Sequence, residues 1–230
     1  MPRAARIVIP RCPHHVTQRG NNRQDVFFVD EDREVYLSIL REQCGRFGLR
    51  VLGYCLMTNY VHLVAVPSRA DSLAKAIGRA HFHYTQYVNR LHGRSGHLWE
   101  NRFHSAAMAD EHFWRAMVYV ERNPVRAKLC RVAWRYVWSS AKAHCDGQDP
   151  SGLLDMAAWR KRVGGASGTW QDALRVALTA EEAAGVRTSL SCGRPLGSDS
   201  WLAKLETKLN RRLRPRPVGR PKKQKRAGRK

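Results

Sequence analysis

The apolar run Leu56-Met57-Thr58-Asn59-Tyr60-Val61-His62-Leu63-Val64-Ala65-Val66 constrains the fold of this chain more than any other stretch. Strand-forming residues lie on both sides of Thr58-Asn59, which predicts two adjacent strands, Leu49 to Met57 and Tyr60 to Val66, joined by a tight turn. Side chains on a strand alternate faces, so Tyr60 and His62 project from the same side. Two imidazoles at that spacing would form a bidentate metal clamp. Here only the second position is His; the first is Tyr.

The neighbouring segments place this strand pair in a sheet. His14 to Arg19 reads as a first strand, ending at the turn cluster Gly20-Asn21-Asn22 between Arg19 and Arg23. A helix over Glu31 to Phe47 carries Tyr36, Ile39, Leu40 and Phe47 on one face and stops at Gly48. A second helix over Leu73 to Leu91 has the stripe Leu73, Ile77, Ala80, Tyr84, Val88 and Leu91. Phe103 to Met108 fits a fourth strand. Asp110 and Glu111 then open a third helix, suited to its positive N-terminal end, that runs to about Arg122 before Pro124. This order predicts an α+β fold, an antiparallel sheet with helices packed on one face, over residues 1–146. Residues 147–210 are expected to form an accessory helical region with pieces near Trp170 to Ala184 and Ser200 to Leu213. Residues 211–230 are expected to be a basic tail without a fold of its own.

Charge narrows the partner. The 230 residues hold 41 Lys and Arg against 19 Asp and Glu. Arg211 to Lys230 contains 11 basic residues and no acid, so the body keeps 30 basic against 19 acidic. A basic body calls for a polyanion, and nucleic acid ranks ahead of an anionic membrane surface. No apolar stretch approaches the ~18 residues of a membrane span, and no signal-peptide core is present, which points to a cytoplasmic location. Six scattered cysteines without a C-x-x-C pair read as reduced thiols rather than a zinc or disulfide framework. In the tail, Gly219-Arg220-Pro221-Lys222 is AT-hook-like, an extended segment suited to the minor groove through Arg220 and Lys222; Val218 stands where such a hook usually has Arg, and a non-specific polycationic tail fits equally.

The third helix supplies chemistry. Phe113, Ala116, Met117 and Val120 mark its buried stripe, Tyr119 falls beside it, and Asn123 follows one turn later. Arg115, Arg122 and Arg126 crowd the same segment. A tyrosine near a metal and a basic surface suggests attack of a phenolate on a DNA phosphorus, with the metal neutralising phosphoryl charge. An unperturbed phenol ionises near pH ~10, so cations must assist it. Oxygen and imidazole ligands suit Mg²⁺ or Mn²⁺. The plain structural reading is a helix-edge tyrosine packed on the sheet and a hydrogen-bonded histidine in the core.

Several motifs occur together in order: Pro13-His14-His15-Val16-Thr17-Gln18-Arg19-Gly20-Asn21-Asn22-Arg23, then Leu56 to Val64. Gly96-His97-Leu98-Trp99-Glu100-Asn101-Arg102-Phe103 and Tyr119-Val120-Glu121-Arg122-Asn123-Pro124-Val125-Arg126-Ala127 follow. Trp138-Ser139-Ser140 and Gly193-Arg194-Pro195-Leu196-Gly197 come next, ahead of the tail. In this the chain resembles the REP-associated tyrosine transposases, a branch of the single-tyrosine HUH transposases. The resemblance implies a ferredoxin-like sheet with the metal motif on a central strand. It implies a prokaryotic, nucleoid-associated enzyme, monomer or homodimer, that cuts and rejoins single-stranded DNA hairpins at palindromic repeats. The implied product is a 5′-phosphotyrosine with a free 3′-OH and no external energy source. By position, Tyr119 matches the nucleophile, His62 the second metal His and Asn123 the helix-borne ligand. Arg19, Arg23, Arg102, Arg122 and Arg126, with Arg220 and Lys222, are the expected DNA contacts.

Tyr60 departs from the family pattern at the first metal His. Three arrangements are open: Tyr60 ligates as a phenolate, substrate phosphate and water complete a loose site, or cleavage is lost. The corresponding expectation is DNA binding with reduced or absent strand cleavage. The alternatives are a palindrome-binding protein that does not cut and, further off, an RNA-binding protein on a similar sheet.

Overall fold

The computed structural model describes residues 6–164 and 168–214. Arg220, Lys222 and the AT-hook-like segment lie outside the described residues. Strand β1 (His14–Arg19) is followed by helix α1 (Asp30–Phe47), strands β2 (Leu49–Met57) and β3 (Tyr60–Pro67), helix α2 (Ser72–Leu91), strand β4 (His104–Ala107) and helix α3 (Asp110–Glu121). Short helices α4 (Asn123–Arg126) and α5 (Ala141–Asp146) lead to α6 (Met156–Val163), α7 (Trp170–Arg175), α8 (Ala180–Cys192) and α9 (Asp199–Leu209).

The elements through α3 begin and end within about two residues of where the sequence patterns put them, as boundary definitions allow. Local chemistry explains the ends. The Asp32 carboxylate accepts from the backbone N–H of Phe28 and Val29, at 2.7 and 3.0 Å, and fixes the start of α1. Gly48, at φ 64°, lets the chain leave α1 in the left-handed conformation and enter β2 directly.

All strand pairs are antiparallel and the order across the sheet is β2-β3-β1-β4. This bears out the α+β, four-stranded expectation. The covering layer is a correction to it: helices pack on both faces, not one. Val61, Leu63 and Ala65 meet α1 and α2, together with Val16, Tyr54 and Leu56. Val64 and Val66, with Leu52, Cys55 and Met57, meet α3 and the C-terminal helices. The physical sign is in the strands themselves. β2 and β3 are apolar at nearly every position, the pattern of a sheet buried on both sides, and do not alternate as a one-sided sheet would. Gly53 allows α3 to come close, since a Cβ there would stand 2.4 Å from Met117 Cε.

The C-terminal helices differ in extent from expectation. Instead of one helix near Trp170 to Ala184, α7 ends at Arg175 and α8 begins after Thr179. Thr179 and Glu182 cap each other reciprocally: Thr179 Oγ1 accepts from the Glu182 N–H at 3.1 Å, and Glu182 Oε2 accepts from the Thr179 N–H at 3.0 Å. That box restarts the helix. These helices contribute Trp159, Trp170, Leu174 and Val186 to the second-face core, so residues past 146 help build the layer that holds α3.

Candidate active-site cleft

The register of the sheet brings five cleft residues to one face. Thr17 lies opposite His62, Arg19 opposite Tyr60, and Thr17 also opposite His104 of β4. His15, two residues from Thr17, shares that face. Its Nε2 and His62 Nδ1 are 2.8 Å apart, one imidazole donating and the other accepting. Both rings sit edge-on to Tyr119, with centroids 5.8 and 5.9 Å away. Sequence reasoning missed His15 as a site residue. Its partner lies 47 positions away, and only the β1–β3 register brings them together.

Asn123 reaches the site by a route the sequence left uncertain. Arg122, at φ −83° and ψ 2°, breaks the line of α3, and Asn123 then starts the separate turn α4, where Pro124 sits near the first position and forfeits no needed N–H. From there Asn123 Oδ1 accepts two hydrogen bonds of 2.8 Å each, one from Tyr60 Oη and one from Arg126 Nη2. The Arg126 guanidinium also lies over the Tyr119 ring, 4.2 Å from its centroid. Tyr119, Tyr60 and Asn123 are thus adjoining parts of one constellation, joined through Arg126.

Buried charge costs more than buried neutrality, and the site shows it. His15 is pushed down to about 3 by burial, with Arg126 adding to the effect. Burial, then His15, Arg126 and Arg19, hold His62 well below an ordinary imidazole. Both are neutral near pH 7. The Tyr60 phenol is raised, first by burial and then by Cys55, with Arg126 pulling the other way. Tyr60 is therefore a protonated donor at neutral pH.

These facts decide how well the chain fits a divalent metal. Tyr60 Oη spends its proton on Asn123, Asn123 Oδ1 already takes two donors, and one nitrogen of His62 is paired with His15. Glu100 lines the same cleft, yet among the described residues no group of three His, Cys, Asp or Glu side chains could hold a metal ion. Mg²⁺ and Mn²⁺ seek several oxygen ligands in octahedral geometry, carboxylates above all. The residues present do not fit such an ion as a resident cofactor.

The constellation floors a cleft of about 440 Å³. Arg19, Arg102 and Arg126, three of the arginines singled out in the sequence, line it. The loop before β4 is tied to β1 by Glu100 N–H donating to the Arg19 carbonyl at 2.9 Å and by Gln18 Nε2 donating to the Asn101 carbonyl at 2.6 Å, which sets Arg102 at the rim. Arg187, Leu190 and Ser191 of α8 form the opposite wall, a contribution with no sequence signal beyond the helical pattern itself. Two expected contacts lie elsewhere. Arg122 donates to the Leu174 carbonyl and so clamps α3 to α7. Arg23 is exposed in the turn after β1, outside the cleft lining, and its carbonyl accepts from Asn59 Nδ2 at 3.0 Å. Arg115 pairs with Glu182 at 3.0 Å.

Below the cleft, α3 is anchored by a buried carboxylate. Glu121 Oε1 accepts from Ser140 Oγ and pairs with His144 Nδ1, both at 2.5 Å, and Oε2 accepts from Trp170 Nε1 at 2.7 Å. Three donors, two from α5 and its N-cap and one from α7, hold a residue two positions from Tyr119.

A four-stranded antiparallel sheet thus carries a helix-borne tyrosine over a His-bearing central strand. Residues 8–123, half of the chain, match the family described as Transposase IS200 like, and the chain belongs to that family. Its fold is shared with a solved structure of the REP-associated tyrosine transposase bound to a REP hairpin. That likeness has a TM-score of 0.55 at 13% identity, over 66% of this chain and 90% of the other. A Deinococcus radiodurans R1 protein assigned to the transposases is 20% identical over 56% of this chain and 92% of its own, at a TM-score of 0.37 too low to carry an argument. Among curated proteins, none matches the sequence. Among the described residues, no helix is long and apolar enough to cross a membrane.

Proposed function

We propose that this DNA-binding transposase holds single-stranded DNA, folded into palindromic hairpins, in the arginine-lined cleft, and that Tyr119 is its nucleophile. The observation that carries the reading is the position of Tyr119: buried at the cleft floor, with the Arg126 guanidinium over its ring and Arg19 and Arg102 lining the same cavity. In the step proposed, Tyr119 Oη bonds to phosphorus, the P–O3′ bond breaks, and the tyrosine proton ends on the departing 3′ oxygen. The product is a 5′-phosphotyrosine and a 3′-OH, and rejoining is the reverse. Arg126, Arg19 and Arg102 offset charge on the phosphoryl oxygens. With Tyr60 closing the family's metal position, the step is slow.

A second reading follows from the Tyr60–Asn123 hydrogen bond alone: a hairpin-binding protein that no longer cuts. Covalent trapping on labelled hairpin DNA separates the two. Slow adduct formation that Tyr119→Phe abolishes supports the nucleophile. Tight hairpin binding with no adduct supports the second reading, and an adduct that persists in Tyr119→Phe contradicts the first.

A further inference from the structure

Two imidazoles line the cleft, His62 and His104, and their surroundings differ. His62 is buried, paired with His15 and held neutral. His104 is exposed on the edge strand β4, and among the described residues its ring has no hydrogen-bond partner. Register fixes where the two stand. Thr17 faces His62 on one side and His104 on the other, so the three form a row across β3, β1 and β4. Neighbouring strands lie about 4.8 Å apart, which puts the two imidazole-bearing positions roughly 10 Å from each other. Tyr119 stands over the His62 end of the row, edge-on to His62 and His15. In the middle, Thr17 Oγ1 donates to the Val61 carbonyl at 2.9 Å and is already satisfied.

A phosphoryl group over Thr17 meets Tyr119 from one end of this row. In phosphoryl transfer the attacking and leaving oxygens lie roughly in line through phosphorus. The bond that breaks therefore points away from Tyr119, toward β4 and His104. The other proton carriers of the cleft are committed. Tyr60 Oη donates to Asn123, and His15 and His62 hold one another. The guanidinium groups of Arg19, Arg102, Arg126 and Arg187 do not give up a proton. Glu100 lines the cleft from the loop before β4, off the row. Imidazole is the side chain suited to give and to take a proton near neutral pH.

We infer that His104 is a further catalytic residue, the general acid that protonates the departing 3′ oxygen. The inference rests on the reading of Tyr119 as the nucleophile. As Tyr119 Oη bonds to phosphorus and the P–O3′ bond breaks, the imidazolium of His104 gives its proton to O3′. The phenolic proton passes through water to the ring left neutral, so the site returns to its starting charge and the 3′ oxygen has gained the proton that Tyr119 lost. In rejoining, neutral His104 takes the proton of the 3′-OH as that oxygen attacks the phosphotyrosine, and a proton returns through water to the phenol.

The test uses the full chain and labelled hairpin DNA with unpaired flanks. The wild-type adduct marks the linkage that is cut, and a second DNA carries sulfur in place of the bridging 3′ oxygen there. A thiolate departs without needing a proton. His104→Gln is expected to slow adduct formation about 100-fold on the oxygen linkage and less than about threefold on the sulfur linkage, as loss of a general acid requires. His104→Asn carries the same expectation and serves if His104→Gln does not fold. Glu100→Gln, which alters the carboxylate of the cleft, is expected to change both linkages by the same factor. An equal loss on both linkages in the His104 variants, or no loss on the oxygen linkage, overturns the inference and leaves Tyr119 as nucleophile. Rescue by sulfur in Glu100→Gln alone does the same. If wild type forms no adduct, the Tyr119 reading fails and the inference falls with it.

Discussion

The two faces of the sheet are built from the same strands and do different work. On the first, Val61, Leu63 and Ala65 meet α1 and α2, and the central aromatic contacts are Phe27, Tyr36, Tyr84 and Trp99 packed on one another. On the second, His15, Thr17, Tyr60 and His62 occupy positions along β1 and β3, and Glu121, Asn123, Ser140 and His144 are buried beneath α3. The first face gains most of its stability from apolar area, with its few buried polar groups paired, as Tyr36 Oη is with His81 Nε2 at 3.1 Å. The second spends some of that gain on buried polar groups, each of which needs a partner to be tolerated. Its stability and its function are therefore coupled, whereas those of the first face are separable.

That contrast gives graded expectations. The largest effect is expected from Glu121→Ala, which strands the Ser140, His144 and Trp170 donors in the interior. Urea unfolding should show a loss of about 3–5 kcal/mol, with hairpin affinity of the remaining folded protein also weakened because Tyr119 loses its anchor. Leu63→Ala on the first face should cost about 3 kcal/mol and leave affinity per folded molecule unchanged. If Leu63→Ala weakens binding as much as Glu121→Ala does, the faces are not separable.

Arg126→Ala should weaken hairpin binding about tenfold, or about 1.4 kcal/mol, and lower the salt slope by about 1. Arg122→Ala, whose guanidinium serves the Leu174 carbonyl, should act on unfolding instead, costing about 1–3 kcal/mol. A reversed pair of results, read by fluorescence anisotropy and urea melts, would show that the cleft lining has been misassigned.

The smallest effect concerns pH. His15 ionises at about 3 in the folded chain against an ordinary 6.5, and His62 is shifted the same way. The unfolded chain therefore binds more protons between those values, and stability contributed by the neutral pair is lost as pH falls from about 6.5 toward 3. His81, buried against α1, is also near 3 and His14 near 4, so both faces contribute to the acid limb. His15→Gln should flatten the limb without removing it, as followed by thermal melts from neutral pH downward.

Much of this was legible in the sequence where the signal was local. The strand bounds of β1 and β2, the stripe of α2 and the stop at Gly48 follow from periodicity and turn chemistry within one segment. The meeting of Tyr60, Asn123 and Tyr119 was readable only in part. Spacing put the last two on successive turns, while the hydrogen bond from Tyr60 spans 63 positions. His15, Arg187 and Ser191 entered the site through register and helix packing, which no local pattern encodes. Coverage of both faces was written in the unbroken apolar character of β2 and β3. The capping box Thr179-x-x-Glu182 was likewise present, and it divides what periodicity alone reads as one helix.

The most direct test of the account compares wild type with Tyr60→His for covalent adduct formation on hairpin DNA, each with Mg²⁺ and with chelator. If Tyr60 closes the metal position, wild type forms little adduct and the amount is the same in both conditions. Tyr60→His then frees Asn123 Oδ1 from a phenol donor, adds an imidazole beside His62, and gains adduct that chelator removes. A wild-type adduct that forms as fast as that of Tyr60→His and disappears with chelator would contradict the account.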